Sequence, residues 1–224
     1  VEGDTEIVLK NLFQAVDVKN FGATFAEKGN NISITGAVQI GQGFNKYEDS
    51  RVEEQQILSP FRDGTKDADN DGEGGKSKQS TLGTKIVSNE AHYVYPFVIN
   101  PQAYKEYEEL GVTQGYTQED YDKFKRTSMV AATSYATNAK VGCENELAVF
   151  IETKPDLYLP NLSEYVTFSK RDGKNQIMLT FDTLLNELQD SILSVEIYYN
   201  PYTTELVQNI QKAVLYNIFT QKEV

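Results

Sequence analysis

The chain has one cysteine, Cys143, one histidine, His92, and two methionines among 224 residues. A lone cysteine excludes an internal disulfide, and a Cys/His inventory of two excludes the usual zinc site. With a single histidine, no Ser–His or Cys–His dyad can be chosen on geometric grounds. This usage fits a reducing, cytoplasmic setting. Positive charge is also scarce. Twenty-one Lys and Arg stand against 33 Asp and Glu, a net charge of −12. On mean charge alone nucleic acid is a poor first partner, because the average field repels phosphate. No apolar run reaches the ~20 residues of a membrane helix, and the opening VEGDTEIV is no signal peptide.

What is present suits one ordinary globular domain over 1–224, with 39% hydrophobic residues to build a core. Residues 5–16 have mostly helical apolar spacing. Residues 31–40 alternate, with Ile32, Ile34, Val38 and Ile40 on one face and small polar residues on the other, as in a half-buried strand. Gly36, Gly41 and Gly43 strip bulk from it and admit a close backbone or ligand. Residues 84–99 read as a second strand. Asn100 with Pro101 signals a helix start, and Gly111 a stop. Thr117 with Asp120 three residues on is a capping box for a helix whose stripe runs Tyr121, Phe124, Ser128, Ala131, Ala132, Tyr135. Strands are predicted over 146–153, 176–181 and 191–199, a short helix near 183–189, and a closing amphipathic helix over 203–219. The class is α+β.

Residues 59–80 contain almost nothing apolar and cannot offset their own ordering entropy, which predicts a mobile loop. Within it, Asp67-Ala68-Asp69-Asn70-Asp71-Gly72 matches the first half of an EF-hand loop. The twelfth position is Lys78, where a bidentate Glu is needed, so a solvated acidic tip outweighs calcium. Charge is unevenly spread. From Lys123 to Cys143 there is no acid, with Lys123, Lys125, Arg126 and Lys140 present. From Lys76 to Asn89 there is again none, with Lys76, Lys78 and Lys85. Both windows are rich in Ser, Thr and Asn, donors suited to phosphate and sugar oxygens. An ordinary solvated face has the same signature.

Four segments together resemble one family. VDVKNFGATFAEKGNNISITGAVQIGQGFN is similar to a "D-x-x-x-FGAT … TGPVQ-G-G" pattern, with Ala37 at the family's Pro. The polar insertion follows. STLGTKIVSNEAHYVYPFVINPQA resembles a "TMG-K … Y-L" strand, with Leu82 for Met. TQEDYDKFKRTSMVAATSYATNAKVG resembles a "T-E-D … W-x-x-T-x-x-x-SRSK" helix, with Lys140 the single cation at its end. These are features of the Cas7 family, the repeated backbone subunit of type I CRISPR effector complexes, and most of its Csh-two subtype of type I-B. The resemblance covers roughly 15–153. The family's first strand, with an Asn-Pro-Gly motif, does not precede Val1, which predicts a chain missing its N-terminal portion.

The resemblance implies a modified RNA-recognition-motif-like (ferredoxin-like) antiparallel sheet as palm, with helical fingers. It also implies a β-hairpin thumb, a flexible insertion over 55–82. Copies of the chain would polymerise along guide crRNA, kink it with their thumbs and present it for pairing with the target DNA strand. They would do so beside a crRNA 5′-end-binding subunit and large and small subunits. No catalysis, metal or other cofactor is implied. Sequence-independent grip needs backbone contacts, so the RNA-contact candidates are Gly36, Gln39, Gly41, Gly43, Lys76, Lys78, Thr81, Lys85, Asn138 and Lys140. Ile57, Leu58 and Phe61 are the apolar candidates for a thumb wedge. Two other classes stay open: a metal-dependent RNA endonuclease on a related fold, and an interaction module with a calcium-bound loop.

Overall fold

The computed structural model describes residues 5–27, 30–58 and 82–224, and only the backbone of Asn30, Leu58 and Leu82. The expectations for Phe61, Lys76, Lys78, Thr81, the segment 67–72 and the side chain of Leu58 lie outside the described residues.

The chain divides into two compact units, Val1–Phe44 with Val94–Val224, and Asn45–Tyr93. The first begins with helices α1 (Thr5–Leu12) and α2 (Val16–Phe21), which bury Leu9 and Val18. Strands β1 (Gly22–Glu27) and β2 (Asn30–Thr35) form an antiparallel pair in register Gly22↔Thr35. The alternation of Ile32 and Ile34 is obeyed, and both are buried. The strand expected to run on to residue 40 breaks at Gly36–Ala37. Strand β3 (Val38–Ile40) takes a new partner, so Ala37 is buried and Ile40 is 52% exposed. Ala37 N–H donates to the Tyr104 hydroxyl at 3.1 Å, a bond that the family's Pro could not make.

The chain crosses to the second unit at β4 (Phe44–Asn45). There β5 (Val52–Leu58) and β6 (Leu82–Ser88) pair antiparallel from Val52↔Ser88 to Leu58↔Leu82. The chain returns through β7 (Tyr93–Val94) to β8 (Phe97–Ile99), which pairs with β3. The predicted 84–99 strand is thus three pieces, interrupted at 89–92 and at 95–96.

The Asn100 cap is present, its side chain accepting from Gln102 N at 3.1 Å, but the turn it opens is 3-10 over Pro101–Tyr104 before α3 (Lys105–Glu109). Helix α4 (Gln118–Ser128) carries the predicted capping box, and α5 (Ala131–Ser134) is a separate single turn. The predicted stripe therefore ends early, and Tyr135 is exposed.

Strand β9 (Leu147–Thr153) follows, then β10 (Val166–Arg171), β11 (Lys174–Leu179), α6 (Asp182–Glu187) and β12 (Ile192–Tyr199). The predicted closing helix is instead two strands, β13 (Thr204–Val207) and β14 (Ala213–Asn217). Strand β13 adds parallel to β11 and β14 adds parallel to β12, so distant strand edges, not local periodicity, decided this segment. The α+β class holds. The two three-stranded sheets, β10-β11-β13 and β14-β12-β9, are each mixed rather than purely antiparallel.

Among the described residues, apolar burial in the first unit falls into three clusters. One joins α1, α2, β2, β3 and α4 through Leu9, Val18, Ile34, Val38 and Phe124. A second lies on β10–β12 and α6 around Leu179, Phe181, Leu185 and Ile197. The third holds Met129, Phe150, Tyr198 and Ile218. Phe97 bridges the first and third, with ring centroids 5.6 Å from both Phe124 and Phe150.

Candidate nucleic-acid interface

The FGAT and TGAVQ segments are held together by buried polar groups from α4 and from the turn before α3. Tyr104, fully buried, accepts from Ala37 N and donates toward the carbonyls of Lys19 (2.9 Å) and Val18 (3.2 Å). Tyr116 donates to Asn20 Oδ1 at 2.8 Å, and Asn20 Nδ2 donates to Val16 O at 2.7 Å. Burial pushes both tyrosine hydroxyls above their ordinary range, so they remain hydrogen-bonding O–H groups. Lys19 Nζ lies 2.7 Å from Asp120 Oδ2, the oxygen that also accepts from the Thr117 amide (2.9 Å) and hydroxyl (2.7 Å). Burial acts to raise the Asp120 carboxyl. The bonds from Lys19 and Thr117 outweigh it, and the group sits below its usual range. One capping carboxylate thus starts α4 and fixes α2 against it.

Gly36 is buried in this junction. A Cβ there would lie 2.2 Å from Phe21 C and 2.5 Å from Asn20 O and Gly22 N. The chain's own backbone occupies the space beside it. The later residues of the run lie further out. Gln39 is exposed, with Nε2 donating to Gly36 O at 2.9 Å. Gly41 N donates to Pro96 O at 2.7 Å. Gly43 lies under the ring of Tyr95, where a Cβ would approach ring atoms to 2.3–2.7 Å. Opposite Gln39 across the β3–β8 pair stands Val98, 66% exposed. The structure thus brings Gln39, Gly41 and Gly43 onto one outward run of backbone and leaves Gly36 beneath it.

Helix α4 is tied to the β9–β12 sheet by Lys125. Its ammonium pairs with Glu196 and lies over the rings of Phe150 (5.2 Å), Tyr198 (5.3 Å) and Tyr121 (5.9 Å). Tyr198 also donates to Glu196 Oε2 at 2.7 Å. Burial would raise the Glu196 carboxyl, but Lys125 and Tyr198 hold it low. Burial, then Glu196, pushes the Tyr121 hydroxyl up to about 12. Lys123 pairs with Glu119 at 2.6 Å, one turn away. Two of the four cations in the acid-free window are therefore engaged within the fold. Lys140 and Asn138 lie beyond, on an exposed turn after α5.

In the second unit Lys85 is half-buried and stands opposite Gln55, while Ile57 is 52% exposed opposite Gly83. His92 Nε2 lies 3.0 Å from Glu90 Oε1, and its ring packs edge-on to Tyr47. Among the described residues no group of three or more His, Cys, Asp or Glu side chains is arranged to hold a metal ion, and no helix is long and apolar enough to cross a membrane.

Sequence reasoning missed Lys19, Asn20, Tyr104, Tyr116 and Asn145. The Thr117–Asp120 spacing was the local signal: Tyr104–Val18, Tyr116–Asn20 and Lys19–Asp120 are 86, 96 and 101 residues apart, and Asn145 reaches back 17 and 13 residues to Ser128 O and Ala132 N.

Comparison with curated proteins gives no match. A family model described as CRISPR-associated protein Cas7 matches residues 4–185, which takes in every element from α1 through β11. Membership implies an RNA-binding backbone subunit of a multi-subunit CRISPR effector complex. With most of its length matched, the chain belongs to the family of CRISPR-associated protein Cas7.

Proposed function

We propose that this chain is a structural subunit that polymerises along guide crRNA in a type I CRISPR effector complex, of the Csh-two, type I-B kind, and holds the guide for pairing with target DNA. The family match over 4–185 carries this reading, since it spans both the Gln39–Gly43 run and the α4–β9 segment. The outward glycine run offers main-chain groups and the Gln39 amide to sugar and phosphate without reading bases. Asn138, Lys140 and Lys85 add a donor and cations. The β5–β6 pair is the stem of the thumb over 55–82, and Ile57, Leu58 and Phe61 are its base-separating side chains. The remaining sheets are the RNA-recognition-motif-like palm. Copies of the chain stack on one another and on the 5′-end, large and small subunits, in the cytoplasm. Cleavage belongs to a recruited partner.

The acidic mean charge limits stray binding, and polymerisation multiplies weak local contacts. The test is to produce the chain with its companion subunits and a guide transcript. Purified complex should show a nucleic-acid-dominated 260/280 nm absorbance ratio and RNA of uniform length. Guide affinity should fall with added salt. A monomer without RNA, or affinity indifferent to salt, overturns the reading.

A further inference from the structure

We propose that Asn145 is a positioning residue that clasps the Tyr135–Glu144 segment and so aims Asn138 and Lys140; this rests on the reading of the chain as a guide-binding subunit. The segment has little apolar anchorage of its own. Tyr135 is 63% and Val141 78% exposed. Its internal order is a backbone turn, with Lys140 N and Val141 N donating to Thr137 O at 2.9 Å and Cys143 N to Lys140 O at 3.0 Å. Gly142, at φ +87°, closes it.

Asn200 Nδ2 holds the far end of this turn through Glu144 Oε1 at 3.1 Å, and a side chain at the entrance to β9 ties it to the helices before it. Asn145 Nδ2 donates to Ser128 O at 2.8 Å, a carbonyl in the last turn of α4. Asn145 Oδ1 accepts from Ala132 N at 2.9 Å, an amide in the first turn of α5. Both are orphan groups that helix ends cannot satisfy themselves. The Asn145 amide donates in turn to Thr133 Oγ1 at 3.2 Å. A single carboxamide therefore joins the end of one helix, the start of the next and a rigid strand. Only a group with donor and acceptor on one planar head can do this; Ala does neither and Asp loses the donor. Without it the turn keeps its internal bonds and the Asn200–Glu144 bond but loses its tie to the α4 and α5 ends, and RNA must meet the cost of fixing its aim.

The test measures guide-RNA affinity of the assembled complex by titrating a labelled transcript. Asn145→Ala should bind about fivefold more weakly, the scale of one lost net hydrogen bond. Thr133→Val, which removes only an exposed hydroxyl, should shift affinity the same way by less. Lys140→Ala should weaken binding and lower the salt slope by about one. In an Asn138→Ala/Lys140→Ala background, Asn145→Ala should add less than about twofold, because its target groups are already gone. Amide exchange over 132–144 should quicken in Asn145→Ala while the sheet amides hold. Unchanged affinity in Asn145→Ala, a full fivefold loss retained in the double background, or no effect of Lys140→Ala overturns the inference. Loss of RNA binding by the unsubstituted complex overturns the function beneath it instead.

Discussion

Gly22 and Gly36 meet back to back, so that a Cβ on either would lie 2.5–2.6 Å from the other's backbone nitrogen. Gly22 also holds φ +76°, a conformation that L side chains rarely adopt. The two glycines are the contact at which the FGAT and TGAVQ segments cross, and neither side is a flexible side chain that could yield. Gly36→Ala should therefore destabilise the fold by about 3 kcal/mol, the upper range for overpacking, read as a lowered urea midpoint with unchanged slope. A variant as stable as the parent would mean that the crossing is looser than described.

Tyr104→Phe keeps the ring against Phe13, whose centroid is 5.0 Å away, and removes only the hydroxyl. The Ala37 amide is then left buried without its partner. The expected loss is about 1–3 kcal/mol, the cost of an unsatisfied buried donor. Thermal unfolding of the single variant checks it.

Lys125→Met preserves the aliphatic stem within the Tyr121–Phe150–Tyr198 ring cluster but leaves Glu196 without its cation. Breaking a largely buried pair in this way should cost about 3 kcal/mol at neutral pH. The deficit should shrink on acidification, because a protonated Glu196 needs no counter-charge. A loss that stays constant from neutral pH down to the carboxylate range would point to packing rather than charge.

The unsubstituted protein should lose stability in acid for the same reason. The Asp120 and Glu196 carboxyls sit below their ordinary values in the folded chain. Their contribution is present above the ordinary carboxyl values of an unfolded chain, about 4, and is lost as pH falls through the lower folded values. Denaturant midpoints measured from neutrality to below that range should fall, and Lys125→Met should show the shallower fall.

Lys85→Ala in the second unit should weaken guide binding by assembled complex and reduce the salt slope by about one, if its cation neutralises a phosphate. Fluorescence anisotropy at several salt concentrations separates this from a fold defect, which would not alter the slope. A slope equal to that of the parent assigns Lys85 to the hairpin alone.

Features confined to neighbouring residues could be read from the chain. The Thr117–Asp120 box, the Asn100 cap, the paired burial of Ile32 and Ile34, and the strands at 147–153 and 192–199 all follow from rules that act over a few positions. The order of the FGAT, TGAVQ and α4 segments also identified the family. Tertiary context decided the rest. Leu206, Ile210, Ala213, Val214 and Ile218 have helical spacing, yet they lie in and around strands because the open edges of β11 and β12 offered ladders that no local count can see. Gly36 looked like room for a ligand and proved to be room for Gly22. Lys125 looked like a surface cation and is drawn inward by Glu196, 71 residues away. Local backbone preference is written into successive residues, whereas which buried partner satisfies a charge, an amide or a strand edge is fixed only when distant parts of the chain close on one another.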